Sequence, residues 1–174
     1  MTNPPTILTN NAMGQVNYGC ASVADASGNL LFYTNGINIW TSTHTLMANG
    51  TGLNGWQNSS QPVLIVKKPL SATEYYVFTN SWNGLLTTNG LYYNIVDMSM
   101  ASGQGSVTAK NVPLNTSNNS YFSGKLTGTK HCNGIDYWIV TREHTNNNQA
   151  GDFHAFLFTS SGVITTPVSS PVNS

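Results

Sequence analysis

Three stretches of this chain share one design: 30–34 (LLFYT), 75–79 (YYVFT) and 137–141 (YWIVT) are each a run of aromatic and aliphatic residues closed by threonine. A half-exposed strand alternates polar and apolar side chains, so an unbroken apolar run bounded by turn formers is expected where a strand is covered on both faces. Strands of that kind sit in the middle of stacked sheets. The threonines fall at 34, 79 and 141, with unequal spacings of 45 and 62 residues, as repeats with variable connections would give.

Each run has neighbours of the same type. A smaller strand is expected before it, at 20–24, 63–66 and 126–132, and a third strand after it, at 37–41, 91–96 and 153–158. Weaker fourth strands are expected at 45–47, 107–110 and 162–165. The turns between them are signalled by Asn-Gly, which suits the left-handed dihedrals of tight hairpins and occurs at 35–36, 49–50, 54–55, 83–84, 89–90 and 133–134. The second and third groups carry longer connections, 80–90 and 142–152, where the first has a tight turn. Small and aliphatic residues dominate the first strands, which suits positions where sheets converge.

This pattern predicts an all-β chain of about three four-stranded antiparallel blades of a β-propeller, a single partial domain over 1–174 with blades at about 18–53, 60–113 and 124–168. A β-sandwich is the structural alternative. Propellers close with four to eight blades, so three imply a partial ring completed by oligomerisation or by further blades of a longer chain. Composition agrees with strands: only 7% of residues are charged, against about 25% in ordinary soluble domains, and Asn, Thr, Ser and Gly stand where helix formers would.

Charge and cysteine usage exclude several partners. Net charge is zero and the six basic residues are scattered, so nucleic acid and anionic lipid have no electrostatic footprint. No apolar stretch approaches the roughly 18 residues needed to cross a bilayer as a helix, and no membrane insertion is expected. The N-terminal segment lacks the basic and apolar regions of a signal peptide. Cys20 and Cys132 fall inside expected strands of different groups, which predicts two small buried thiols and no disulfide.

Several stretches, taken in order, resemble one family: 18–36 (YGCASVADASGNLLFYTNG), 46–53 (LMANGTGL), 90–98 (GLYYNIVDM), 130–141 (KHCNGIDYWIVT) and 156–163 (FLFTSSGV). They look like the N-terminal β-propeller region of secreted Bacteroidetes gliding-motility-associated or type IX secretion cargo proteins. The resemblance implies an exported protein, extracellular or at the cell surface, whose propeller precedes other modules and a C-terminal sorting domain.

Reactive chemistry has little support. His131, Cys132, Glu143, His144 and His154 are the nearest approach to a metal constellation, but adjacent strand residues such as His131 and Cys132 point to opposite faces. A cross-strand pair of His131 with Asp136 explains both residues more simply, and no metal or other cofactor is expected. The carboxylates Asp25, Glu74, Asp97, Asp136, Glu143 and Asp152 include only one pair, Glu143 and Asp152, that brackets a single loop, and no nucleophile elbow or phosphate loop occurs. The segment 25–29 resembles a calcium loop without its distal glutamate and reads as a turn. Aromatic residues in polar segments are the better lead, because rings stack on sugars while amides bond hydroxyls. Trp56, Trp82 and Tyr121 are therefore the candidate ligand-binding residues, whereas Trp40 and Trp138 lie in strand patterns and are expected in the core. These features favour a non-catalytic extracellular binding or adhesion module for polysaccharide or a surface protein. A glycan-active hydrolase and a self-assembling structural subunit are the alternatives.

Overall fold

A computed structural model describes residues 11–14, 19–56, 58–81, 90–114, 121–144 and 150–172. The fold is all-β, with three antiparallel sheets in chain order. The first contains β1 (Ala21–Ala24), β2 (Leu30–Thr34) and β3 (Ile39–Thr41). The second contains β4 (Val63–Lys67), β5 (Glu74–Ser81), β6 (Gly90–Asp97) and β7 (Ser106–Pro113). The third contains β8 (Tyr121–Lys130), β9 (Tyr137–His144), β10 (Ala150–Thr159), β11 (Gly162–Val163) and β12 (Val168–Ser170), the last two both pairing with β10. From β1 to β3, β4 to β7 and β8 to β11 successive strands are hydrogen-bonded neighbours, and the first strands converge: β4 lies against both β1 and β8.

The second sheet is the filling of the stack. Along β5 successive side chains point to opposite faces, and both sets are buried. Tyr75 and Val77 join Phe32, Ile39, Met47, Leu53 and Val96 in one core, with the Phe32 and Tyr75 rings edge to face at 5.6 Å. Tyr76 and Phe78 join Leu91, Phe122, Leu126, Ile139, Phe156 and Phe158 in the other. The apolar run 75–79 is thus covered on both faces, as its composition required. The outer sheets are covered differently: Tyr33 of β2 turns away from the second sheet, stacks on Trp40 and bonds the backbone N–H of Ala12, whereas Trp138 and Val140 of β9 remain partly open.

All three repeat threonines are buried, opposite Ala21, Val63 and Leu126 of the first strands. Their hydroxyls are satisfied: Thr34 donates to the Asn38 carbonyl at 2.7 Å, Thr141 to the Lys125 carbonyl at 3.1 Å, and Thr79 accepts from Asn94 Nδ2 at 3.4 Å. Asparagine does similar work inside the second sheet. Buried Asn94 also donates to the Val77 carbonyl, while its Oδ1 accepts from the backbone N–H of Asn111, whose φ of 57° marks a break in the β6–β7 ladder.

The first sheet nevertheless meets its neighbour with the other set of side chains. The second sheet turns its Thr79 face back toward the first and its Phe78 face on toward the third, which receives it with its Thr141 face. If the first sheet followed this order it would present Tyr33 to the second, but it presents Phe32. Phe32 therefore corresponds in facing to Phe78. A one-residue slip exchanges every side chain between faces, and a run apolar on both sides contains nothing to reveal it.

Other expectations fail locally. The fourth strand expected at 45–47 is only an isolated bridge from Leu46 to Trp40. The strand expected at 126–132 ends at Lys130, and Cys132 lies in the following turn; Cys20 precedes β1, so both thiols are exposed and free rather than buried. The expected His131–Asp136 side-chain pair is replaced by Asn133. Its Oδ1 accepts from the Ile135 and Asp136 backbone N–H groups and its Nδ2 donates to Asp136, while His131 meets Asp136 only through the backbone. An Asx turn supplies locally what a cross-strand pair would otherwise supply.

Candidate functional site on the outer face of the third sheet

Strand register fixes which positions of the second and third sheets correspond. Val63 faces Thr79 across β4–β5, as Leu126 faces Thr141 across β8–β9. The outward face of the third sheet, with Thr127, Trp138, Val140, Arg142, Phe153, Ala155 and Leu157, thus matches Leu64, Tyr76, Phe78, Asn80, Leu91, Tyr93 and Ile95 of the second. In the second sheet this face is sealed beneath the third. In the third sheet the same face has changed character: threonine stands for leucine, alanine for tyrosine and arginine for a buried asparagine.

A groove of about 270 Å³ runs over this face, lined by Gln61, Lys125, Thr127, Val140, Arg142 and Phe153, with Leu126 and Thr141 at its floor. Its position follows from three local features. Gln61 is held there because its backbone N–H bonds the Gly124 carbonyl at 2.8 Å, tying the connection before β4 onto β8. Lys125 flanks inward-facing Leu126 as Thr127 does, so alternation along β8 puts it on the exposed side. The β10 ladder is irregular between Ala150 and Phe153 and puts Phe153 opposite Arg142.

Phe153 is 46% exposed, unusual for so large an apolar ring, and the Arg142 guanidinium lies over it at 5.5 Å. Arg142 Nε also donates to the Gly151 carbonyl at 3.4 Å, a second contact that restrains the guanidinium. Among the described residues the ion pairs are Lys68 with Glu74 and His154 with Glu143, so neither Lys125 nor Arg142 is neutralised by a carboxylate. The groove therefore offers an exposed ring, an amide, a hydroxyl and two cations. This inventory can stack on a ring and donate hydrogen bonds to oxygen.

The sequence candidates fall elsewhere or only partly within the described structure. Trp56 is half-buried in the connection between the first and second sheets, five residues before Gln61. Trp82 lies outside the described residues. Tyr121 opens β8 opposite His144, and its side chain is likewise outside them. Trp40 is in the core as expected, whereas Trp138 is partly exposed beside the groove face. Sequence reasoning passed over Phe153, Arg142, Lys125 and Gln61. The available signal was the alternation of faces along β10, which leaves Phe153, Ala155 and Leu157 on the side opposite Phe156 and Phe158.

The catalytic and metal alternatives find other uses for their residues. Glu143 Oε2 and His154 Nε2 lie 3.1 Å apart, and His154 Nδ1 lies 3.1 Å from Ser169 Oγ, a chain of contacts that ties β12 to β10 and β9. No cluster of three or more His, Cys, Asp or Glu side chains suited to a metal occurs among the described residues. Asp25 is consumed by its turn: Oδ1 accepts from the Ser27 and Asn29 backbone N–H groups and Oδ2 from Asn29 Nδ2. The Asn29 side chain is the main cause that holds the Asp25 carboxyl below its usual range, as Ser99 does for Asp97. No helix among the described residues is long and apolar enough to cross a membrane. No family model matches the chain, and neither a curated protein nor a solved structure matches it.

Proposed function

We propose that this chain is a non-catalytic binding module of the extracellular or cell-surface adhesion kind, which takes a polysaccharide on the outer face of its third sheet. The observation that carries the reading is the half-exposed Phe153 ring in a groove with Gln61, Thr127 and Arg142, on a face whose counterpart in the second sheet is sealed. A sugar presents an apolar ring face and a rim of hydroxyls, and these groups answer both. The groove is near the lower end of ligand-site volumes, about 300–1,000 Å³, which suits one or two sugar units of a longer chain.

The three sheets are best read as consecutive propeller-like blades. Support comes from the convergence of β1, β4 and β8 and from the antiparallel order of strands within each sheet. Closure of a ring would lay another sheet, from a further copy or a longer chain, over the outer face of the third. Burying unpaired Lys125 and Arg142 beneath such a sheet would cost several kcal/mol per charge, of order 3–5, unless the incoming surface compensated them. A wet ligand surface requires no such compensation, and we read the stack as open at this end.

Affinity electrophoresis of the chain in gels containing soluble neutral and acidic polysaccharides tests the reading. Retardation by at least one polysaccharide, abolished by Phe153→Ala, is the expected result. Unretarded migration with every polysaccharide overturns it. Light scattering separates the competing occupancy, since a particle larger than the 18.7 kDa monomer that Phe153→Ala dissociates would assign the face to assembly.

A further inference from the structure

We infer that the ligand of this groove is an acidic polysaccharide, one whose sugar units carry carboxylates, with Lys125 and Arg142 as the residues that select it. This inference rests on the polysaccharide reading above and names the class of sugar. The whole chain has six basic residues, yet two of them line one small groove, and its lining contains no carboxylate. The two carboxylates used in ion pairs among the described residues, Glu74 and Glu143, serve Lys68 and His154 instead.

Position strengthens the point. Arg142 occupies the site that in the second sheet is Asn80, a neutral side chain that is buried and donates to the Ser123 carbonyl of the sheet above it. At the same place in the third sheet the donor has become a cation that lies over the Phe153 ring at 5.5 Å. A guanidinium held at an exposed ring can donate two hydrogen bonds to the carboxylate of a sugar that contacts that ring. Lys125, on the neighbouring strand β8, supplies a second, mobile charge for the same or the adjacent unit.

A polypeptide partner fits less well. Extended peptides add themselves to a sheet through free backbone groups at an edge. This groove lies on a sheet face, where β9 and β10 already satisfy one another and β8 pairs with β9. Over β9 and β10 recognition falls to side chains, and the side chains present are those that suit hydroxyls, a ring face and a carboxylate.

Isothermal titration calorimetry of the whole chain with an oligogalacturonate decides the matter, using its fully methyl-esterified form and a poly-glutamate peptide as comparison probes. The ester keeps ring, length and hydroxyls and removes only the charge. We expect the acidic oligomer to bind, with affinity falling as salt rises from 50 to about 300 mM. The esterified form, Arg142→Gln and Lys125→Gln should each weaken binding at least about tenfold. Both side chains reach solvent, so the variants should melt with the parent chain. Equal binding of acid and ester, abolished by Phe153→Ala, would overturn the acidic class and leave the polysaccharide reading standing. Binding of poly-glutamate alone, dependent on Arg142, would overturn both in favour of an acidic peptide. Failure of all three probes, with retardation by a neutral polysaccharide in gels, would again overturn the acidic class alone.

Discussion

Phe158 and Leu157 are neighbours on β10, yet truncating them should have very different consequences. Phe158 is fully buried between the second and third sheets, its ring 4.6 Å from that of Tyr76 and 5.7 Å from that of Phe78, the latter edge to face. Phe158→Ala removes the transfer energy of a buried ring and leaves a cavity that flanking strands cannot close, for a cost of about 4 kcal/mol. Leu157 points to the outer face and is already partly in water, so Leu157→Ala should cost about 1 kcal/mol. Urea denaturation followed by tryptophan fluorescence measures both. With a slope of about 2 kcal/mol per molar urea, Phe158→Ala should lower the midpoint by about 2 M and Leu157→Ala by about 0.5 M at unchanged slope. Midpoints within about 0.5 M of each other would refute the assignment of faces, and with it the identification of an open face on the third sheet.

Four further outcomes follow from named contacts. Cys20 and Cys132 are exposed, so both thiols should react with Ellman's reagent in native buffer, whereas buried thiols would react only after denaturation. His154→Ala breaks the contacts to Glu143 and Ser169 that tie down β12, and should cost about 1–2 kcal/mol in urea while accelerating amide exchange at 168–170. Gly124→Ala would drive its methyl into the Ser59 side chain; a loss of about 1–3 kcal/mol, largely restored by adding Ser59→Gly, is the expected pattern. Asp25 has a folded pKa depressed below its unfolded value by Asn29, so its stabilising contribution is complete above the unfolded value, near pH 4, and is lost as pH falls through the folded one. Asp25→Asn should therefore flatten the acid limb of the stability profile below about pH 4, measured by thermal melts.

Much of the fold is legible in the sequence because one physical pattern dominates. Runs such as Tyr75 to Thr79 can be satisfied only by cover on both faces, and Asn-Gly and Asp-Ala-Ser-Gly-Asn turns force antiparallel neighbours. The stacking of three sheets around β5 follows from those two facts. What the pattern could not supply was the facing of each run, because Phe32 and Tyr33 are both apolar and both buried, one against Tyr75 and the other against Trp40. The fourth strand of the first sheet failed for a related reason: Thr45 to Met47 has strand-forming residues but only one bridge to hold them.

The candidate site was less legible. Aromatic residues in polar segments drew notice to Trp56 and Trp82, whereas Phe153 sits inside a strand run and reads as core. Its exposure depends on no other sheet among the described residues covering that side, which no local window of sequence contains. Arg142 and Lys125 are scattered singly in the sequence, 17 positions apart, and meet only because β8 and β9 are paired. Asn80 and Asn94 are fully buried and bonded across the second sheet and to the third, a use of asparagine that its frequency in the sequence does not reveal.

The central claim is that the outer face of the third sheet is a ligand surface and the stack is open there. Amide chemical shifts of the whole chain, recorded by NMR during titration with oligogalacturonate, test it residue by residue. We expect saturable shifts confined to 125–127, 140–142, 153 and Gln61, with the first sheet unmoved. Saturable shifts centred on Trp56 or on the first sheet, with the third-sheet face unchanged, would contradict it.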